Sequence, residues 1–166
     1  MGAPPHGKPP MLVRCAEDSD AGPAAEVVRR SVAELCEADY RGDPQVLARW
    51  LANKTLGDFR RWIGSADRSV CLAVREDGRL AAVGMVAWRG EILLNYVAPE
   101  ARFLGASKAL VAHMEGHLRA RGAGRVALLG THVARRFYRS LGYEEVGRVE
   151  SRFGTLDAIE MAKPLG

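Results

Sequence analysis

Leu94-Asn95-Tyr96-Val97-Ala98-Pro99-Glu100-Ala101-Arg102-Phe103-Leu104-Gly105-Ala106-Ser107-Lys108-Ala109-Leu110 is the stretch on which the fold turns. An apolar run halts before Pro99, a short polar turn follows, and a helix opens near Gly105. Leu110, Val111, Met114 and Leu118 then recur at helical spacing on one face. A turn that presents successive backbone N–H groups at a helix N-terminus is an anion site, reinforced by the helix dipole. Gly105 lets a bulky diphosphate approach the backbone, and Lys108, with Arg135, Arg136 or Arg139 from a later helix, is available for further phosphate charge. The competing reading is a plain strand–turn–helix with exposed basic residues.

Upstream, the chain alternates toward β structure. Strands are expected over 70–75 and 80–88, joined by Glu76-Asp77-Gly78-Arg79, where Asp-Gly supplies the positive φ a tight hairpin needs. Arg89-Gly90 forms a second turn before a strand over Glu91–Val97. Earlier still, a strand over Met11–Cys15 precedes a helix capped by Ser19 or Asp20. A polar elbow over 37–44 breaks that helix, a second runs from 44 to about 54, and a further turn is expected over 58–63. Downstream of the helix over 105–121, Gly122-Ala123-Gly124 stops the helix. A strand over 125–129, a helix over 133–141 and a strand over 143–149 follow. Phe153-Gly154-Thr155 turns into a last strand ending near Lys163. The order β-α-α-β-β-β-α-β-α-β-β predicts an α/β fold, one mixed sheet flanked by helices. Residues 1–10, with four prolines, read as a solvated tail, and residues 11–166 as one domain.

Composition narrows the function. The 166 residues are 48% hydrophobic and 27% charged, which suits one globular domain. The longest apolar stretch, residues 81–88, is far short of the ~20 residues a membrane span needs. Residues 1–10 carry no apolar signal core, so a cytoplasmic protein is expected. A net charge of +4 tolerates an anionic partner without demanding one. Only four of the 24 basic residues are lysines; arginine suits phosphate, but a GC-rich, bacterial genome gives the same bias. Cys15, Cys36 and Cys71 have no C-x-x-C spacing and read as reduced thiols. Gly122-Ala123-Gly124-Arg125-Val126-Ala127 matches a dinucleotide fingerprint, yet it closes a helix where that mechanism needs one to open. His113 and His117 have metal-ligand spacing, but without an acid directly after the first histidine they read as a polar outer face, and no metal is expected. No G-x-S-x-G elbow marks a hydrolase.

Thr131-His132-Val133-Ala134-Arg135-Arg136-Phe137-Tyr138-Arg139-Ser140-Leu141-Gly142-Tyr143 completes the pattern. Arg102-x-x-Gly105-x-Ser107 resembles the R/Q-x-x-G-x-G/A pyrophosphate loop of the GNAT (Gcn5-related N-acetyltransferase) superfamily. Ala134-x-x-Phe137-Tyr138-x-x-x-Gly142-Tyr143 resembles the same family's A-x-x-F-Y-x-x-x-G-F/Y segment, and the order of elements matches from about residue 11 to residue 165. The resemblance implies acetyl-CoA as cofactor. It assigns the pyrophosphate to the backbone of Arg102, Phe103, Leu104, Gly105, Ala106 and Ser107, with Lys108 nearby. Pantetheine and the acetyl carbonyl fall to the strand near Val97, with Thr131, Ala134 and Phe137 lining the same path. Tyr138 matches the usual general acid and Glu91 a general base found in some members. Three positions depart from the pattern: Ser107 replaces Gly or Ala, Phe103 stands where glycine or a basic residue is common, and Thr131 replaces Asn.

The chemistry of the two catalytic assignments differs. A departing thiolate, with a conjugate acid of pKa about 8.5 by analogy with cysteine, gains from a phenol proton, and Tyr138 shares a helix face with Thr131 and Ala134. A buried structural tyrosine is the alternative. Glu91 shares a strand face with Leu93, Asn95 and Val97, which suits a base acting directly or through water, although a glutamate after a turn is commonly just solvated. Asp39, Tyr40, Trp88 and Asn95 are the candidates for the acceptor pocket. The expected activity is acetyl transfer to a primary amine of a small molecule or peptide, by direct attack in a ternary complex. No covalent acyl-enzyme is expected, and a homodimer is compatible with the resemblance. A non-catalytic acyl-CoA-binding module and, behind it, an RNA-binding module stay open as alternatives.

Overall fold

In a computed structural model, the structure describes residues 7, 10–149 and 158–166. Its core is one seven-stranded sheet in the order β1-β2-β3-β4-β5-β7-β6. The strands are β1 (Met11–Cys15), β2 (Arg68–Arg75), β3 (Leu80–Ala87), β4 (Glu91–Val97), β5 (Arg125–Gly130), β6 (Glu144–Val149) and β7 (Ala158–Pro164). All neighbours are antiparallel except β4 and β5. The helices are α1 (Ala21–Leu35), α2 (Glu37–Tyr40), α3 (Pro44–Leu51), α4 (Leu56–Ile63), α5 (Ala106–Ala120) and α6 (Arg135–Ser140).

Local chemistry explains the punctuation. Gly78, at φ +82°, closes the β2–β3 hairpin, with Arg75 and Arg79 bonded across it. Gly90 is required on two counts: its φ is +99°, and a Cβ there would lie 3.0 Å from the Arg125 carbonyl. Seven consecutive residues of β3, from 81 to 87, are buried. A strand buried on every residue is covered on both faces. Gly84 meets Met114 of α5 on one face, and α1 packs on β3 and β4 while α4 packs on β2.

The expected architecture holds, with local differences. The elbow over 37–44 coils into α2 before Arg41 takes a left-handed conformation at φ 54°. Residues 58–63 belong to a full helix, α4, started by a reciprocal Thr55–Asp58 capping box. Asp20 does not cap α1 with its side chain; it accepts from the Glu17 amide at 2.7 Å and pairs with Arg14, closing a preceding 3₁₀ turn over Asp18–Asp20. The helix expected over 133–141 is a 3₁₀ turn, His132–Ala134, followed by α6. The expected tail (apart from residues 7 and 10) and the turn at Phe153-Gly154-Thr155 lie outside the described residues.

One buried charge cluster ties the helices to the far half of the sheet. Glu115 of α5, 4% exposed, accepts from the Tyr143 hydroxyl at 2.9 Å and from Lys163 of β7 at 3.2 Å, with Arg119 at 3.3 Å. Removing one member of a buried pair strands the others, at a cost of about 3–5 kcal/mol. Glu115→Ala should therefore lower stability by about that amount in urea melts, and Glu115→Gln, which keeps an acceptor, by clearly less.

Candidate functional site

β4 and β5 run parallel but are paired at only two positions, Glu91↔Ala127 and Ile92↔Leu128. Beyond Ile92 the strands part. The V between them opens into a cavity of about 660 Å³, lined by residues 92–97 of β4 and by Leu128, Leu129 and Gly130 of β5. The edge of β4 that faces β5 has no strand partner after Ile92, so its backbone groups look into the cavity. A β-bulge adds to this: Met85 pairs with Leu94 and Val86 with Ile92, leaving Leu93 as the extra residue. Nothing in the apolar run Ile92-Leu93-Leu94 signals the bulge.

The cavity reaches the N-terminus of α5. Arg102, Phe103, Gly105, Ala106, Ser107 and Lys108 all line it; Leu104 instead packs against the core. Gly105 is the N-cap residue at φ +85°, which turns the loop so that the first amides of α5 face the cavity. Phe103 takes a positive φ of 64° and is 85% exposed. That is a strained conformation for a bulky residue, which explains why glycine suits this place. Arg102 covers its ring at 4.8 Å. Two of the three arginines of the later segment are engaged elsewhere: Arg135 and Arg139 both pair with Glu145.

Thr131, Ala134, Phe137 and Tyr138 line the opposite wall, and Val97 stands near the open end of β4. Tyr138 is buried, and its oxygen accepts a hydrogen bond from Asn95 Nδ2 at 3.0 Å. Asn95 thus occupies the phenol's acceptor side and leaves its O–H to donate into the cavity. Burial pushes the Tyr138 pKa up to about 12, against a smaller lowering by the Asn95 bond. The Asn95 Oδ1 atom is itself buried with no partner, an acceptor aimed at nothing in the protein. Cys36 also lines the wall, but burial raises its pKa to about 12, so it stays a thiol at neutral pH.

Four sequence-derived site residues stand elsewhere. Glu91 lies at the closed end of the V, pairs with Arg89 at 2.7 Å and does not line the cavity. The bulge explains why: Glu91 is registered with Ala87 and Asn95 with Gly84, three residues apart on β3, so the two side chains leave opposite faces. Trp88 likewise is not in the cavity wall; its ring lies under Arg121 at 3.8 Å and beside His117. Tyr40 is buried and donates to the Ala33 carbonyl at 2.7 Å. Asp39 accepts from the His132 backbone N–H at 2.7 Å, so it caps the turn that leads into α6. Burial pushes its pKa up against those amide bonds. His113 and His117 are not on a polar outer face either, since both are half-buried with ring centroids 4.3 Å apart.

Three comparisons place this geometry among known proteins. The structure superposes on a GCN5-related N-acetyltransferase from Rhodopseudomonas palustris with a TM-score of 0.82, at 21% identity over 93% of this chain and 96% of that one. PaiA N-acetyltransferase from Thermoplasma acidophilum, solved with coenzyme A, gives 0.75 at 19% identity over 93% and 99%. A phosphinothricin acetyltransferase from Sinorhizobium meliloti, solved with acetyl-CoA, gives 0.68 at 23% identity over 94% and 89%. No curated protein matches the sequence significantly. These likenesses establish the fold, and the family model described as Acetyltransferase (GNAT) domain matches residues 42–165. The chain belongs to the GNAT acetyltransferase family.

Proposed function

We propose that this chain transfers the acetyl group of acetyl-CoA to a primary amine, with both bound at once in the V between β4 and β5. The observation that carries this reading is the Asn95–Tyr138 pair, which sits inside a cavity that also reaches the amide-lined loop before α5. The residues fit the coenzyme. The amides of residues 102–107 and the charges of Arg102 and Lys108 suit a diphosphate, each charge-assisted bond contributing about 1.5–3 kcal/mol. The unpartnered edge of β4 suits an extended amide-bearing arm, and the orphaned Asn95 Oδ1 offers it a buried acceptor. The coenzyme, when bound, supplies an acyl group activated as a thioester.

The chain's own residues then orient and donate. The free N–H groups along β4, from the Leu93 bulge onward, stabilise negative charge that develops on a carbonyl oxygen held there. Tyr138 holds a proton at its hydroxyl and directs it toward the departing sulfur. Among the described residues that line the cavity there is no carboxylate or imidazole, so the amine's proton leaves to water. Asp39 acts as a positioning residue by holding the turn that carries α6 and Tyr138.

Millimolar acetyl-CoA should raise the melting temperature of the protein, since a ligand at 100 times its Kd adds about 2.7 kcal/mol. Gly105→Asp, which sets a carboxylate against the phosphates, should fold yet show no shift. A wild type that does not respond would sink the cofactor assignment, and binding without turnover over a panel of amines would leave a non-catalytic module.

Tyr138→Phe should lower kcat by about 10²–10⁴. Because the phenol's raised pKa keeps it protonated below about 12, that factor should be constant from about pH 6 to about pH 10. An unchanged rate would remove Tyr138 from the mechanism without touching the family assignment. Asp39→Ala should lower kcat with little change in the KM for acetyl-CoA and cost about 1 kcal/mol of stability as a lost cap, with Asp39→Asn restoring most of both.

A further inference from the structure

Outside the cavity, three ligand-type side chains converge where β1 ends against α5. Cys15 closes β1, and His113 and His117 stand one turn apart on α5. The Cys15 Sγ and one nitrogen of each imidazole all lie within 4.8 Å of one another. Ligand atoms around a tetrahedral zinc ion sit roughly 3.3–3.6 Å apart, so small side-chain rotations close the set. The two backbones that carry these groups are fixed independently. Cys15 is held in register with Cys71 of β2, and the histidines have i,i+4 spacing on a fifteen-residue helix.

Three further observations concern what these atoms lack and what surrounds them. His113 Nε2 is buried with no hydrogen-bond partner, and such an atom is either a standing cost or a lone pair reserved for something else. The Ser69 hydroxyl donates to Cys15 Sγ at 3.5 Å, as outer partners of metal-bound thiolates do. On the other side, the Trp88 ring stands 6.2 Å from His117 and is held down by Arg121. None of these side chains lines the coenzyme cavity except through its helix.

We propose that Cys15, His113 and His117 bind one zinc ion and so tie edge strand β1 to α5. One thiolate and two imidazoles form a borderline-to-soft donor set, which selects zinc over magnesium or calcium. The fourth position falls to water. On binding, the Cys15 S–H bond breaks, a Zn–S bond forms and the proton passes to buffer; each imidazole donates a ring-nitrogen lone pair, and nothing is oxidised.

The test uses the full chain, stripped of metal by a chelator and then titrated with Zn²⁺ or Co²⁺. We expect uptake of about one ion per chain, release of about one proton and, with Co²⁺, a near-ultraviolet thiolate-to-metal band. Cys15→Ser should abolish that band, and His117→Gln should weaken zinc binding by at least about tenfold, while both keep the metal-free melting temperature and acetyl-CoA binding. Should Cys15→Ser fail to fold, His117→Gln carries the same readout through zinc affinity. Uptake well below one ion per chain, or uptake that survives both substitutions, overturns the proposal.

Discussion

Two residue pairs hold β4 to β5, and the rest of the molecule is arranged around that brevity. A parallel pair that stops after two residues leaves backbone donors and acceptors along two strand edges, each of which must meet water or a ligand. The parting is kept stable by what lies beyond it. β5 is paired with β7 over six positions, β4 with β3 over six, and each half of the sheet is thereby rigid without the other. The Leu93 bulge twists β4 away at the point where pairing fails. The helix that follows each strand then closes one side of the gap: α5 delivers its N-terminus after β4, and α6 delivers Tyr138 after β5.

α6 has only six residues and cannot hold itself in place. It is pinned from three directions: by Asp39 at its leading turn, by the Arg135–Glu145 pair to β6, and by Asn95 at Tyr138 itself. This matters for the proposed acid. A phenol with a pKa near 12 is weaker than a thiol of about 8.5 by some 3.5 units, roughly 5 kcal/mol against complete proton transfer. The burial that weakens the phenol also disfavours a thiolate formed beside it, so the two pKa values rise together and the true gap inside the cavity is smaller. In the proposed mechanism Tyr138 donates a hydrogen bond to sulfur as charge develops, with Asn95 taking the other side of the oxygen.

The sequence makes visible whatever is punctuated locally. β4 is legible to the residue because Gly90 and Pro99 bound it, and the loop before α5 because Gly105 must turn left-handed there. The failures share one cause, namely contacts made by residues distant in sequence. Alternation puts Glu91 and Asn95 on one face; a bulge set by the partner strand puts them on opposite faces. Asp39 and Tyr40 read as loop polar groups for a substrate, yet one caps a turn 93 residues later and the other reaches back to Ala33. Trp88 follows β3 directly, but Arg121 of the α5 terminus decides where its ring lies. Two of the basic residues read as phosphate contacts, Arg135 and Arg139, are instead paired with Glu145 of β6.

α5 is the element that both ends of the molecule share. Its first turn borders the coenzyme cavity, while His113 and His117 lie seven and eleven residues further on, about 10–17 Å along the axis. A straight helix packed on four strands moves as a body, so fixing one end to β1 restricts the tilt available to the other. Such a restriction changes coenzyme affinity only if α5 has a second resting position, because a ligand shifts an equilibrium solely through states it distinguishes. Met114 against Gly84, and Glu115 locked to Tyr143 and Lys163, hold the middle of the helix in one register. The two sites should then be additive in stability and nearly independent in affinity, with the metal reinforcing an edge strand that is otherwise open to solvent.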